Sequence, residues 1–141
     1  MITDELLNTI LDEIFALTEP TINKSRRSII GEFIKSTVNG DTPQKYLVIN
    51  CNFGKDRRGA LVYILSNIKL IKIEIDDKNT SSSSLSLSAI INIDKKLQDN
   101  NIAEVAIYFQ NDSMGLIYAA DNKKINDFFQ EVDLARAKGE S

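Results

Sequence analysis

From Leu47 to Ala120 the chain keeps returning to a two-residue rhythm of apolar and polar side chains, and no helical segment interrupts it. A period of two places successive side chains on opposite sides of a strand. Leu47, Ile49, Cys51 and Phe53 alternate with Val48, Asn50 and Asn52. "ALVYIL" (60–65) is apolar on both faces and belongs deep in the fold. Ser66-Asn67 is a turn, after which Ile71, Ile73 and Ile75 alternate with Lys72 and Glu74. Leu87, Ala89, Ile91 and Ile93 then share one face, with Ser86, Ser88 and Asn92 on the other. "EVAIYF" and "GLIYAA" supply two more strands, joined by "QNDSM", whose Asn111, Asp112 and Ser113 suit a hairpin turn. Consecutive strands with no helix between them exclude parallel βαβ units and require an antiparallel sheet. The polar run "DDKNTSSSS" (76–84) reads as a loop, with its serines either flexible or open to phosphorylation.

Helical periodicity is confined to the two ends. Thr3, followed by Asp4 and Glu5, is a helix start, with a hydroxyl to cap a free N–H and acids at the positive end of the dipole. Leu6, Leu7, Ile10, Leu11, Ile14, Phe15 and Leu17 follow at helical spacing up to Pro20. A second helix opens near Asn23 or Ser25, gathers Ile29, Ile30, Phe33 and Ile34 on one side, and ends before Gly40. Its apolar face packs either on the chain's own sheet or on a partner. The acids of the first helix and the cations of the second favour their pairing, within one chain or between two copies. At the other end Asp121 caps a helix whose Ile125, Phe128, Phe129, Val132 and Ala135 form one stripe, with Gly139 near its close. The expected fold is α+β: a helical hairpin (1–40) as an appendage, then a domain (41–141) of six or seven antiparallel strands with the C-terminal helix packed on the sheet.

The second half resembles a known family. "GALVYILSNIKLIKIEI" is similar to the hairpin of bacterial pleckstrin-homology-like (PH-like) domains, and "SSLSLSAIINIDKKL" to the segment that follows it there. "EVAIYF", "GLIYAA" and "KKINDFFQEV" resemble the family's closing hairpin and C-terminal helix. The likeness covers about residues 45–136 and leaves the helical hairpin unassigned. Six strands are recognisable in the pattern where the family has seven. Phe128 or Phe129 stands for the tryptophan that eukaryotic members carry in the final helix.

Composition argues against most catalysis. The chain has no histidine, which removes the commonest general base near neutral pH and the commonest metal ligand. The solitary Cys51 lies in an alternating apolar stretch, so a buried, inert thiol is expected, in keeping with a reducing, cytoplasmic setting. Asp76-Asp77, with Asp94 or Asp99, is the most suggestive carboxylate group, yet no EF-hand spacing surrounds it and a solvated turn accounts for it. No catalytic residue, metal or cofactor is therefore expected, and the chain is not expected to be an enzyme. The N-terminus is acidic and amphipathic, unlike a signal peptide, and no apolar run is long enough to span a membrane. Seventeen Lys+Arg against 20 Asp+Glu leave a net charge of −3. The whole molecule thus has no attraction for nucleic acid, and any affinity for anions must be local.

Two basic clusters are candidates for that local affinity. In "GKDRRG" (54–59), Lys55, Arg57 and Arg58 sit between glycines that permit a turn. Guanidinium groups bind phosphate or carboxylate bidentately, and an ammonium adds a point charge. The resemblance implies the same role, because phosphoinositide-binding eukaryotic PH domains carry spaced Lys and Arg in their first hairpin. Lys24, Arg26 and Arg27 form the second cluster, at a helix start where cations oppose the dipole. Two functions follow. One is a binding or scaffold module that recognises a protein partner, or itself as a homodimer, through the sheet and the helical hairpin. The other is an anion or lipid-headgroup site at the cationic tip.

Overall fold

The computed structural model describes residues 1–54, 56–98, 101–109, 112–117 and 122–139. Helix α1 (Asp4–Thr18) begins where the Thr3 hydroxyl accepts from the Leu6 N–H at 3.1 Å. A 3₁₀ turn (Lys24–Arg26), opened by Asn23 accepting from the Ser25 N–H, leads into α2 (Arg27–Val38). Four antiparallel strands follow in sequence order: β1 (Lys45–Asn52), β2 (Arg58–Leu65), β3 (Lys69–Asp76) and β4 (Thr80–Ser86). After a second 3₁₀ turn (Leu87–Ala89), β5 (Ile90–Gln98), β6 (Asn101–Phe109) and β7 (Asp112–Ile117) form a separate three-stranded antiparallel sheet. Helix α3 (Asn122–Gly139) ends the described chain. The Asp121 cap expected for α3 lies outside the described residues, as do Asn111 of the β6–β7 turn and residues 118–120 of "GLIYAA".

Three features depart from the sequence expectation. The 3₁₀ turn at Leu87–Ala89 breaks the alternation expected of Leu87, Ala89, Ile91 and Ile93, so Ile90 is buried and Ile91 stands exposed. The strands divide between two sheets. The serine run expected to be a loop instead forms most of β4, paired with β3 in unbroken register from Lys69↔Ser86 to Ile75↔Thr80. A strand at the edge of a sheet needs no apolar side chains of its own, because its main chain is held by its neighbour.

The centre of the four-stranded sheet is buried on both faces, which is why β2 is apolar from Ala60 to Leu65. Ala60, Val62 and Ile64 of β2 join Val48, Ile71, Ile73 and Ile75 under Ile10, Ile14, Ile30, Ile34 and Val38 of the helical hairpin. Leu61, Tyr63 and Leu65 point the other way, into a second core with Leu70, Val105 and Ile107. The expected stripe of α3 closes that core: Ile125, Phe128, Phe129 and Val132 are all buried. Phe129 meets the Tyr63 and Phe128 rings edge-on, at 5.6 and 5.2 Å between centroids. The α1 and α2 helices spend their apolar stripes on their own sheet, and Arg27 of α2 ties them together through Asp12 of α1 at 2.9 Å. Leu17 of α1, 40% exposed, is one exception, and Ile29 is the other. Expected among the apolar face of α2, it stands 69% exposed.

Candidate functional site

The β1–β2 hairpin tip is built by Gly54 at φ +87°, Asp56 at φ +63°, and main-chain bonds from Phe53 N–H to Arg57 C=O (2.7 Å) and Arg57 N–H to Gly54 C=O (2.9 Å). Gly54 supplies the left-handed angle expected of it. Gly59 does something different from the turn role its sequence position suggests. It lies inside β2 opposite Asp76, and a Cβ there would stand 1.8 Å from the Ile75 carbonyl oxygen. Its bare backbone lets β2 press against the end of β3, which carries the tip onto Asp76.

Asp76 is the centre of this region. It is 2% exposed, and four donors hold its carboxylate. Oδ1 accepts from the Lys78 and Asn79 N–H groups at 2.9 and 2.6 Å. Oδ2 accepts from Arg57 Nε and Nη2, both at 2.8 Å, a bidentate pair. The Arg57 guanidinium also lies 5.4 Å from the Phe53 ring centroid. Burial alone would raise the Asp76 pKa. The two main-chain donors and then Arg57 outweigh it, and hold the carboxyl below its ordinary value. Sequence adjacency to Asp77 made Asp76 look like a solvated turn residue. The signal that marks it otherwise is the glycine brought opposite by the β2–β3 register.

The candidate cations take separate places. Arg57 points inward to Asp76. Arg26 reaches the same turn from the helical side, donating to the Asp76 main-chain carbonyl and, at 3.1 Å, to the Thr80 hydroxyl. Arg27 is engaged with Asp12 and Asn8, and Lys24 lies 3.6 Å from Glu19. Arg58 is exposed, paired through its backbone with Asn52. Lys55 lies outside the described residues. The structure thus brings Arg26 and Arg57 together around one aspartate and leaves Lys24, Arg27 and Arg58 apart from them. The cations at the start of α2 are explained by acceptors on α1 and on the β3–β4 turn.

Other chemistry is sparse. Cys51 is half-buried, and burial followed by Glu74 pushes its thiol up toward the protonated form. Among the described residues no group of three His, Cys, Asp or Glu is placed to hold a metal ion, and no helix is long and apolar enough to cross a membrane. A groove of about 470 Å³ runs between the β2–β3 turn and the far end of α3, with Ile68 and Leu134 exposed along it.

No protein-family profile matches the chain, and no curated protein is similar to it at a significant level. Similarity to solved structures is clear. The C-terminal domain of an unknown protein from Leishmania infantum matches with a TM-score of 0.54 at 12% identity, over 74% of this chain and 98% of that one. The human DH/PH domain of ARHGEF11, solved in a ternary complex with human RhoA and its inhibitor, matches with a TM-score of 0.51 at 13% identity. That match covers 95% of this chain, which spans 39% of the human chain. The shared feature is fold. A four-stranded and a three-stranded antiparallel sheet with a C-terminal helix across them form an α+β fold that is PH-like.

Proposed function

We propose that the chain is a non-enzymatic binding or scaffold module that recognises a protein partner, or a second copy of itself, through its sheet and helical hairpin. The observation that carries this reading is the internal commitment of its charged chemistry. Arg26, Arg57 and Asp76 hold one another and the β3–β4 turn, while Ile29, Ile68 and Leu134 stand exposed. The absence of histidine from the sequence and the raised pKa of its one thiol point the same way. The human DH/PH domain it resembles was solved bound to a protein, RhoA. At an anion site of Lys55, Arg57 and Arg58, Arg57 would offer only what its bidentate bond to Asp76 leaves free.

Photo-cross-linking tests the proposal. A photoreactive residue at position 29 or 134 of the full chain, irradiated in its native cell, should give a covalent adduct with a protein. Labelling of lipid or small molecules alone at both positions would overturn it. Replacing Lys55, Arg57 and Arg58 by glutamine should leave that adduct intact and bring no loss of binding to anionic vesicles. A salt-sensitive loss of vesicle binding in the triple variant would transfer the function to the tip.

A further inference from the structure

Strand β4 is one of the two outer strands of its sheet, and its main chain is open on one side. Asp76 N–H donates to Asn79 C=O at 3.0 Å, which sets the antiparallel alternation. Ser81, Ser83 and Leu85 therefore turn their main-chain groups toward β3, and Thr80, Ser82, Ser84 and Ser86 turn theirs outward. Edge strands are ordinarily blunted by lysine, proline or a bulge. One outer strand of the second sheet, β5, shows this, with two register shifts and the pair Lys95-Lys96. β4 shows none of it. It carries no charge, no proline and no register shift, and Ser81 to Ser84 are exposed. Among the described residues no main-chain bond engages its outward groups.

Helix α2 adds a second, independent observation. It lies over β3 and β4, while α1 lies over β1 and β2. Gly31 faces Leu11 of α1, and Ile29, two residues away, stands about 200° around the helix from it. Ile29 and the half-buried Phe33 thus line the flank turned away from α1, on the side of the open edge. Arg26 sits on Thr80, and Asp41, just past the helix, pairs at 2.9 Å with Lys69, which lies opposite Ser86. α2 therefore runs alongside β4 in the same direction. Phe33 lies about 10 Å beyond Arg26, and Ser83 lies about 10 Å beyond Thr80, so the two are level.

We infer that the β4 edge and the α2 flank form one self-complementary interface, occupied by a second copy of this chain about a two-fold axis through Ser83. This deepens the reading given under "Proposed function" and rests on it. With the axis there, Thr80 faces Ser86 and Ser82 faces Ser84 of the other copy. All of these are outward-facing residues, and the pairing makes about eight main-chain hydrogen bonds. The two four-stranded sheets become continuous. An uncharged edge puts no like charges opposite each other when it meets itself. The two α2 helices cross the same axis and bring Ile29 and Phe33 of each copy together. A lone peptide strand would pair with the edge and leave Ile29 in water. The occupant must bring a strand edge and an apolar helix flank in fixed relation, and this chain has both. Isologous pairing of that kind closes at two.

The test uses sedimentation velocity of the full chain over a series up to about 200 μM. Wild type should sediment as a dimer. Ser84→Pro removes an outward N–H and no β3 bond, and Ile29→Lys charges an exposed site. Each should weaken the dimer at least about ten-fold with unchanged circular dichroism and a melt that stays cooperative, lowered only by the lost association. If Ser84→Pro loses its cooperative melt, Ile29→Lys alone decides. A wild type that stays monomeric throughout, or a dimer indifferent to both changes, overturns the inference. A monomer that still cross-links to another protein from position 29 does so while leaving the binding-module reading in place.

Discussion

Replacing Asp76 should expose what holds the hairpin tip to the body of the domain. In Asp76→Ala the Lys78 and Asn79 N–H groups lose a charged acceptor, and Arg57 loses its bidentate partner. Bonds to a charged group contribute about 1.5–3 kcal/mol each. Lys78 and Asn79 are exposed enough for water to replace part of this, which puts the two together near 2–3 kcal/mol. Arg57 is 49% exposed, so solvent screening limits its share to about 1 kcal/mol. Removing the buried charge also removes its desolvation cost. The net expectation is a loss of about 3 kcal/mol for Asp76→Ala. For Asp76→Asn, whose amide oxygen still accepts from both N–H groups, it is about half that. Urea unfolding at pH 7 reads this as a midpoint shift of about 2 M for the alanine variant at a slope of about 1.5 kcal/mol per molar.

The same carboxylate carries a pH signature. Its folded-state pKa is depressed, so its contribution is fully present above the unfolded-state titration near pH 4 and is lost as pH falls through the folded-state value. The stability gap between wild type and Asp76→Asn should narrow over that acid window. An Asp76→Ala midpoint within error of wild type would refute the anchoring role. An Arg57→Ala cost as large as that of Asp76→Ala would instead refute the ranking of the main-chain bonds above the ion pair.

Three further outcomes are expected. Gly59→Ala drives a methyl group into the Ile75 carbonyl and should cost about 3 kcal/mol or more, which a thermal melt will show; an unchanged midpoint would mean that β2 and β3 separate freely. Phe129→Ala empties a fully buried site between Tyr63 and Phe128 and should cost about 3–5 kcal/mol in urea, against a near-silent change if α3 is loosely docked. Deleting residues 1–40 uncovers Val48, Val62, Ile64, Ile71 and Ile73, so the remaining chain should aggregate or bind a hydrophobic dye strongly. A monomeric, cooperatively melting fragment would show that the sheet stands without its helical cover.

The helices were legible in the sequence because their apolar spacing reports a buried face directly, as the four buried residues of the α3 stripe show. The same holds for β2, whose two-sided apolarity matches a sheet covered on both faces. β4 was not legible. Its strand conformation comes from main-chain bonds to β3, and serines leave no periodic trace of that. The cationic residues could be found as clusters but not matched to acceptors, because Arg57 and Arg26 reach the Asp76 turn across 19 and 50 residues of chain. Which residue stands opposite which is a property of strand register. Gly59 facing Asp76 is the clearest case.

The two-sided burial of the first sheet also sets a timetable for synthesis. Residues 1–40 leave the ribosome before any strand, so the face formed by Val62, Ile64, Ile71 and Ile73 meets its cover as it emerges. Leu47, Ile49, Leu61, Tyr63 and Leu70 meet Val105 and Ile107 later and are closed over only when Ile125 to Val132 emerge. At about 5–20 residues per second, that face of the nascent chain stays bare for several seconds. Translation speed through the β5–β7 region, and a chaperone that shields leucine-rich surface in the interval, should therefore affect the yield of folded protein.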